Sequence, residues 1–236
     1  MNKIIDFLLD IIFPKQCLKC GRDDFWICNK CFNNIKLLKI QTCPICRIEN
    51  HGETCEQCSI NSNLDGLLIA TSLNNKLVQK AIHNFKYKYI TDLKKPLSSL
   101  MFKTFDRYRK NITISNSDKL VIVPVPLHKK RFRERGFNQS NLLALSIAKK
   151  TKFTYNPNII YRKKYTETQT KLSRKERTEN VKSAFKLNKS LDFIDKNVII
   201  IDDVATTLST LEECAKILKK AGAKKIWGLV IARGDL

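Results

Sequence analysis

The sequence predicts an α/β fold, a mainly parallel sheet flanked by helices, with a small cysteine-rich domain in front of it. Short β-branched runs at 120–123, 198–201 and 226–232 read as strands buried on both faces. They alternate with helix-period patterns, such as Leu211, Cys214, Ala215 and Leu218 on one stripe, as parallel strands joined by helical crossovers require. Eight of the nine cysteines fall in the first 60 residues as four Cys-x-x-Cys pairs.

Residues 1–14 form the first expected element. Ile4, Ile5, Leu8, Ile11 and Ile12 share one helical face, which favours an amphipathic helix docked on the protein's own body over one lying on a membrane or a partner. Asp6 and Asp10 interrupt the apolar run and no small-residue cleavage site follows, against a signal peptide. No run reaches the ~18 apolar residues of a membrane span. The expected compartment is the cytosol, where close-spaced cysteines hold metal rather than disulfides.

Residues 15–60 then read as a double zinc ribbon. Sequential sharing, Cys17, Cys20, Cys28 and Cys31 in one site and Cys43, Cys46, Cys55 and Cys58 in the other, closes the shortest loops; a cross-braced pairing is the alternative. Both sites are expected to be structural zinc, with thiolates in all four positions and metal supplying the folding energy of so small a segment. His51 reads as a loop residue and Cys214, on the buried helix stripe, as core.

Residues 61–236 form the sheet domain, reached through a polar linker at 59–63. A strand at 66–71 precedes a helix at 75–89 with Leu77, Ala81, Ile82 and Phe85 inward and Lys80, Lys86 and Lys88 outward. A helix at 92–108 tolerates Pro96 in its first turn, and 111–118 is loop. After the strand at 120–123 and Pro124-Val125-Pro126 comes a cationic loop, with Lys129, Lys130, Arg131, Arg133 and Arg135 interleaved with Phe132 and Phe137. Arginines there can hold pyrophosphate bidentately, or the loop can grip single-stranded nucleic acid by phosphate contact and base stacking. Asn138 and Gln139 lead into a helix at 139–150, and Ala221-Gly222 stops the last helix before the final strand.

The stretch that organises the domain is 197–210. A buried strand delivers Asp202 and Asp203 to its carboxyl end, and Thr206, Thr207, Ser209 and Thr210 follow at the start of a helix. Ligands of open parallel sheets bind at such ends, first-turn amides favour phosphate, and ionised carboxylates accept from sugar hydroxyls. The pattern resembles the signature of the type I phosphoribosyltransferases. The resemblance implies that Asp202 and Asp203 are the catalytic pair on the ribose hydroxyls, directly or through Mg²⁺. It implies that Val204, Ala205, Thr206, Thr207, Leu208, Ser209 and Thr210 bind the phosphate of phosphoribosyl pyrophosphate. Leu208 stands where that family has Gly, and its side chain is expected to narrow the loop.

Pro124-Val125-Pro126-Leu127-His128, the basic stretch, and Arg135-Gly136-Phe137-Asn138-Gln139 resemble the ComF family of competence proteins, as do Arg162, Thr168-Gln169, Leu172, Arg177, Asn180-Val181, Phe185 and the zinc-ribbon front half. The resemblance implies a phosphoribosyltransferase-like fold and the handling of incoming single-stranded DNA in the cytosol. A protein of the competence machinery at the inner membrane is a further implied partner. In that fold residues 164–183 correspond to a hood over the ligand, with Arg174 and Arg177 as phosphate clamps. A formal net charge of +22 over 236 residues accords with an anionic partner. Two alternatives stay open: an active phosphoribosyltransferase of salvage type, and a zinc-ribbon docking protein on an inactive scaffold.

Overall fold

The computed structural model describes residues 14–110, 120–166, 174–188 and 195–234. The amphipathic helix expected before Pro14, the loop expected at 111–118 and residues 167–173 of the expected hood lie outside the described residues.

The cysteine segment holds two short helices, α1 (Asn29–Asn33) and α2 (Glu56–Ser59). Strand β1 (Gly66–Ser72) follows, then α3 (Lys76–Tyr87), a 3₁₀ turn (Thr91–Leu93) and α4 (Lys94–Tyr108). Asn75 caps α3 by accepting from the amides of Leu77 and Val78. Strand β2 (Leu120–Pro124) leads to α5 (Lys129–Arg135), α6 (Gln139–Thr151) and β3 (Thr154–Tyr155). A two-stranded antiparallel ribbon of β4 (Ile160–Arg162) and β5 (Phe185–Leu187) brackets α7 (Arg174–Val181). The chain closes with β6 (Asn197–Ala205), α8 (Ser209–Lys220) and β7 (Ile226–Arg233).

The main sheet has the order β1-β7-β6-β2-β3, with every pairing parallel. Its central strands are buried on both faces. Ile199 and Ile201 pack with α3, α4 and α6, while Val198 and Ile200 pack with Leu211, Cys214, Ala215 and Leu218 of α8. From β2 the chain runs outward to β3, and from the adjacent β6 it runs the opposite way to β7. That reversal opens a crevice beyond the carboxyl ends of β2 and β6, the place where such sheets bind ligands.

Two expectations change. The basic stretch after β2 is a helix, α5, rather than a loop: His128 Nδ1 accepts from the Lys130 amide at its start, and Gly136 ends it in a left-handed turn at φ 75°. Lysine and arginine are good helix formers, so charge alone did not mark a loop. The polar segment at 59–63 is not a free linker either. Glu212 of α8 accepts from the Ser62 hydroxyl at 2.5 Å and from the Asn63 amide at 2.8 Å.

The cysteine segment also shares its core with the sheet. Cys17, Ile27, Cys28, Cys31 and Ile35 belong to the apolar cluster that contains Leu68, Ala70 and Phe105. Gln41, 2% exposed, bonds both the amide and the carbonyl of Ile69, and Leu38 N–H donates to Ala70 O. The open edge of β1 is thereby covered.

Candidate functional site

The end of β6 carries both carboxylates into the crevice. Asp202 and Asp203 are 8% and 3% exposed. Asp202 Oδ1 accepts from Ser140 Oγ at 2.8 Å and from the Asp203 amide at 2.9 Å, so the first turn of α6 orients it. Asp203 Oδ1 accepts from the Val204 amide, and Oδ2 pairs with Lys86 Nζ at 2.6 Å. Lys86, expected outward, turns inward from the last turn of α3. Apolar periodicity could not show this, because the partner lies more than a hundred residues away.

Burial, and then the neighbouring Asp203 charge, push the Asp202 carboxyl up to about 7, against the pull of Lys86 and Ser140. Burial works against the Lys86 charge, but Asp203 outweighs it and raises the ammonium above its ordinary value.

These groups line a hollow of about 140 Å³ together with Val125, Pro126, Leu127, Arg131, Arg135, Asn138, Gln139 and Arg162. Four cations face two carboxylates in that lining, a surplus of positive charge suited to an anionic ligand. Arg162 is drawn below its ordinary range by burial and by Arg131, and its buried Nε has no acceptor among the described residues. A guanidinium so placed has room for an oxyanion. Arg131 Nη2 donates to Thr166 O, and Arg135 Nη1 donates to Gln139 Oε1 at 2.6 Å.

Not every expected residue reaches the hollow. Val204 and Thr210 line it; Thr206, Thr207 and Ser209 form the turn into α8, with the Thr207 and Ser209 hydroxyls 2.8 Å apart. Ala205 is buried in the core. Lys129 and Arg133 point to solvent, Lys130 leans over Tyr165, and Asn138 caps α6 by accepting from the Ser140 amide. Phe137 packs against Phe85 with centroids 5.6 Å apart, at the edge of the core rather than exposed. Arg174 and Arg177 fall on α7, and their side chains lie outside the described residues.

Leu208 answers differently from expectation. Its backbone takes the left-handed conformation, φ 65°, that favours Gly, yet its side chain is 5% exposed and packs into the α8-side core instead of the hollow. Leu208→Gly is therefore expected to relieve about 1 kcal/mol of backbone strain while losing roughly 2–4 kcal/mol of buried side chain. The net result, read by urea melts, is a loss of roughly 1–3 kcal/mol.

The thiolates form the two sequential groups, Cys17 with Cys20, Cys28 and Cys31, and Cys43 with Cys46, Cys55 and Cys58, each with its sulfurs within 4.8 Å of one another. The cross-braced pairing is not the one adopted. Sγ separations of 3.7 Å (Cys20–Cys28) and 3.6 Å (Cys46–Cys55) match the spacing of about 3.7 Å that tetrahedral zinc with ~2.3 Å bonds imposes. Burial opposes ionisation of Cys17 and Cys43, but backbone amides, first those of Cys28 and Cys55, outweigh it and bring both down to about 6. Both groups fit structural zinc. His51 lies exposed in a loop outside both, and burial pushes the Cys214 thiol up, as in a core residue.

Residues 139–234 match the model of the phosphoribosyl transferase domain. The chain is 43% identical to Competence protein F of Haemophilus influenzae over 47% of its length, a match that spans half of that protein. It is 28% identical to DNA utilization protein YhgH of Salmonella typhimurium over 92% of this chain and 96% of the relative. Identity to Competence protein ComFC of Bacillus subtilis is 26%, over 94% of this chain and 91% of the relative. The chain is thus similar to competence and DNA utilization proteins, and it carries the transferase domain match. The matched transferase segment runs from the start of α6 through β7, so it contains Ser140, Asp202 and Asp203 but not Lys86, Arg131 or Arg135.

Proposed function

We propose that this protein binds phosphoribosyl pyrophosphate, or a related phosphorylated ribose, in the hollow at Asp202 and Asp203, and that it handles single-stranded DNA during DNA uptake. The observation that carries the pocket is the convergence of Lys86, Arg131, Arg135 and Arg162 on a buried carboxylate pair at the sheet's switch point. The carboxylates accept the ribose hydroxyls, the arginines hold the pyrophosphate, and the amides at the start of α8 receive the 5-phosphate. Lys86 occupies Asp203 Oδ2, so Mg²⁺ is held chiefly by the ligand's own phosphates.

The DNA role is supported by the names of the relatives, competence and DNA utilization proteins, and by the net charge of +22. We place this activity in the cytosol, peripheral to the inner membrane; no helix among the described residues is long and apolar enough to cross one. The cysteine segment and the sheet domain are proposed as one unit with a common core. Transfer chemistry is the second reading, favoured by one observation: Leu208 leaves the hollow open.

Calorimetric titration of phosphoribosyl pyrophosphate with Mg²⁺ tests the pocket. The sign of its pH dependence follows from Asp202, whose carboxyl titrates near 7 in the fold and near 4 unfolded. The folded state binds the extra proton, so stability without ligand falls as pH rises between those values. The ligand needs the ionised carboxylate, so its affinity rises toward about pH 7 and then levels, and Asp202→Asn abolishes both the slope and most of the affinity. No binding heat at neutral pH, with protein in the tens of micromolar, would overturn the pocket.

A further inference from the structure

Beside the ligand hollow lies a second one of about 150 Å³, which shares Lys86, Tyr87, Arg131 and Arg135 with it and is completed by Tyr89, Glu134 and Tyr165. Its three tyrosines are left half in solvent: Tyr165 is 42% exposed, Tyr87 47% and Tyr89 56%. Cations already sit over two of the rings. Lys130 Nζ is 4.6 Å and Arg131 Cζ 5.9 Å from the Tyr165 centroid, and Arg135 Cζ is 5.4 Å from that of Tyr87.

The third ring is held at a cost. Tyr89 has φ 56°, a left-handed backbone that glycine adopts freely and a bulky residue does not. Its hydroxyl donates to Glu134 O at 3.4 Å, tying the turn after α3 to α5. Single exposed aromatics are ordinary. Three around one mouth, with a cation over two of them, contribute little to the core and present flat π surfaces beside phosphate-binding charge. Aliphatic side chains would suit a lipid or an apolar peptide; tyrosine with lysine and arginine suits a base attached to a phosphate.

We infer that Tyr87, Tyr89 and Tyr165 form a stacking rim for single-stranded DNA, whose bases lie on these rings while its phosphates meet Lys130, Arg131 and Arg135. The inference rests on the DNA-handling reading above and deepens it. It also moves the stacking role away from Phe132 and Phe137, to rings that two separate segments bring together.

The test is fluorescence anisotropy of the full, zinc-loaded chain with oligothymidylate and with an abasic strand of equal length and charge. Wild type is expected to bind oligothymidylate about tenfold or more tightly than the abasic strand. Tyr89→Gly combined with Tyr165→Ala is expected to erase that preference and leave abasic binding unchanged; the glycine also suits the left-handed turn, so the fold is kept. Tyr89→Phe with Tyr165→Phe should retain the preference, whereas Lys130→Ala should weaken both strands alike and flatten the salt dependence. Equal wild-type affinity for the two strands, or a preference that survives loss of both rings, would overturn the rim. Wild type that binds neither strand would overturn the DNA reading with it, and the calorimetric titration then decides the phosphoribosyl pocket separately.

Discussion

Stripping the metal from the second thiolate group, by chelation or by Cys43→Ser, is expected to destabilise the whole chain by on the order of 5 kcal/mol, not to loosen a knuckle alone. The reason is the way that group is sewn to the sheet. Leu67 N–H donates to Gly52 O at 2.8 Å, and Thr54 N–H donates to Asp65 O at 2.9 Å. At the far end of β7, buried Arg233 donates from Nη1 to Pro44 O at 2.8 Å, inside the Cys43–Cys46 turn. Arg233 is paired across the ladder with Ala205, two residues beyond the carboxylate pair. Losing the zinc therefore uncovers the edge of β1 and frees buried polar groups at the strand ends that hold the site. Hydrogen exchange gives the measure: the β6 and β7 amides should lose protection together with residues 41–58. Protection confined to its wild-type value in β6 and β7 after metal removal would show an independent module. By the same reasoning, deleting residues 1–60 should give an aggregating body rather than a working one.

Lys86→Met is expected to have the second-largest effect, a loss of about 3–5 kcal/mol near neutral pH, because it removes the ammonium paired with buried Asp203 and leaves that carboxylate beside Asp202. Without the pull of Lys86 the Asp202 carboxyl would hold its proton to still higher pH, so the loss grows as pH rises through about 7 and shrinks in acid. Adding Asp203→Asn should recover most of it, and the double-mutant cycle measures the coupling. An additive cycle would mean that the 2.6 Å pair contributes nothing. Ligand affinity should fall in Lys86→Met even where the fold is intact, since the hollow loses one of its four cations.

Much of this was legible from the order of residue types. The strand at 198–201 was marked by β-branched residues and bounded by aspartates, and β6 runs there in the centre of the sheet. The spacing of the cysteines pointed to sequential sharing, because short loops close at least entropic cost. The basic stretch misled in form: it was read as an anion-gripping loop, while the helix signal, Gly136 at the end of a run of good helix formers, was overlooked. Leu208 misled too, since a left-handed leucine is rare and its direction depends on which core it meets.

By itself, the sequence determined what is local or periodic: which runs become strands, which cysteines can share a metal, and that two carboxylates end a strand before a hydroxyl-rich turn. Such features depend on neighbours a few residues apart, and the chain states them outright. Only the tertiary structure decided that Lys86 meets Asp203, that Ser140 orients Asp202, that Gln41 and Arg233 bind the cysteine segment to the sheet, and that Tyr165 joins Tyr87 and Tyr89 around one hollow. Those contacts join residues scores of positions apart, and nothing in the spacing of a single chain encodes which of many equivalent lysines or tyrosines folding will bring to the same place.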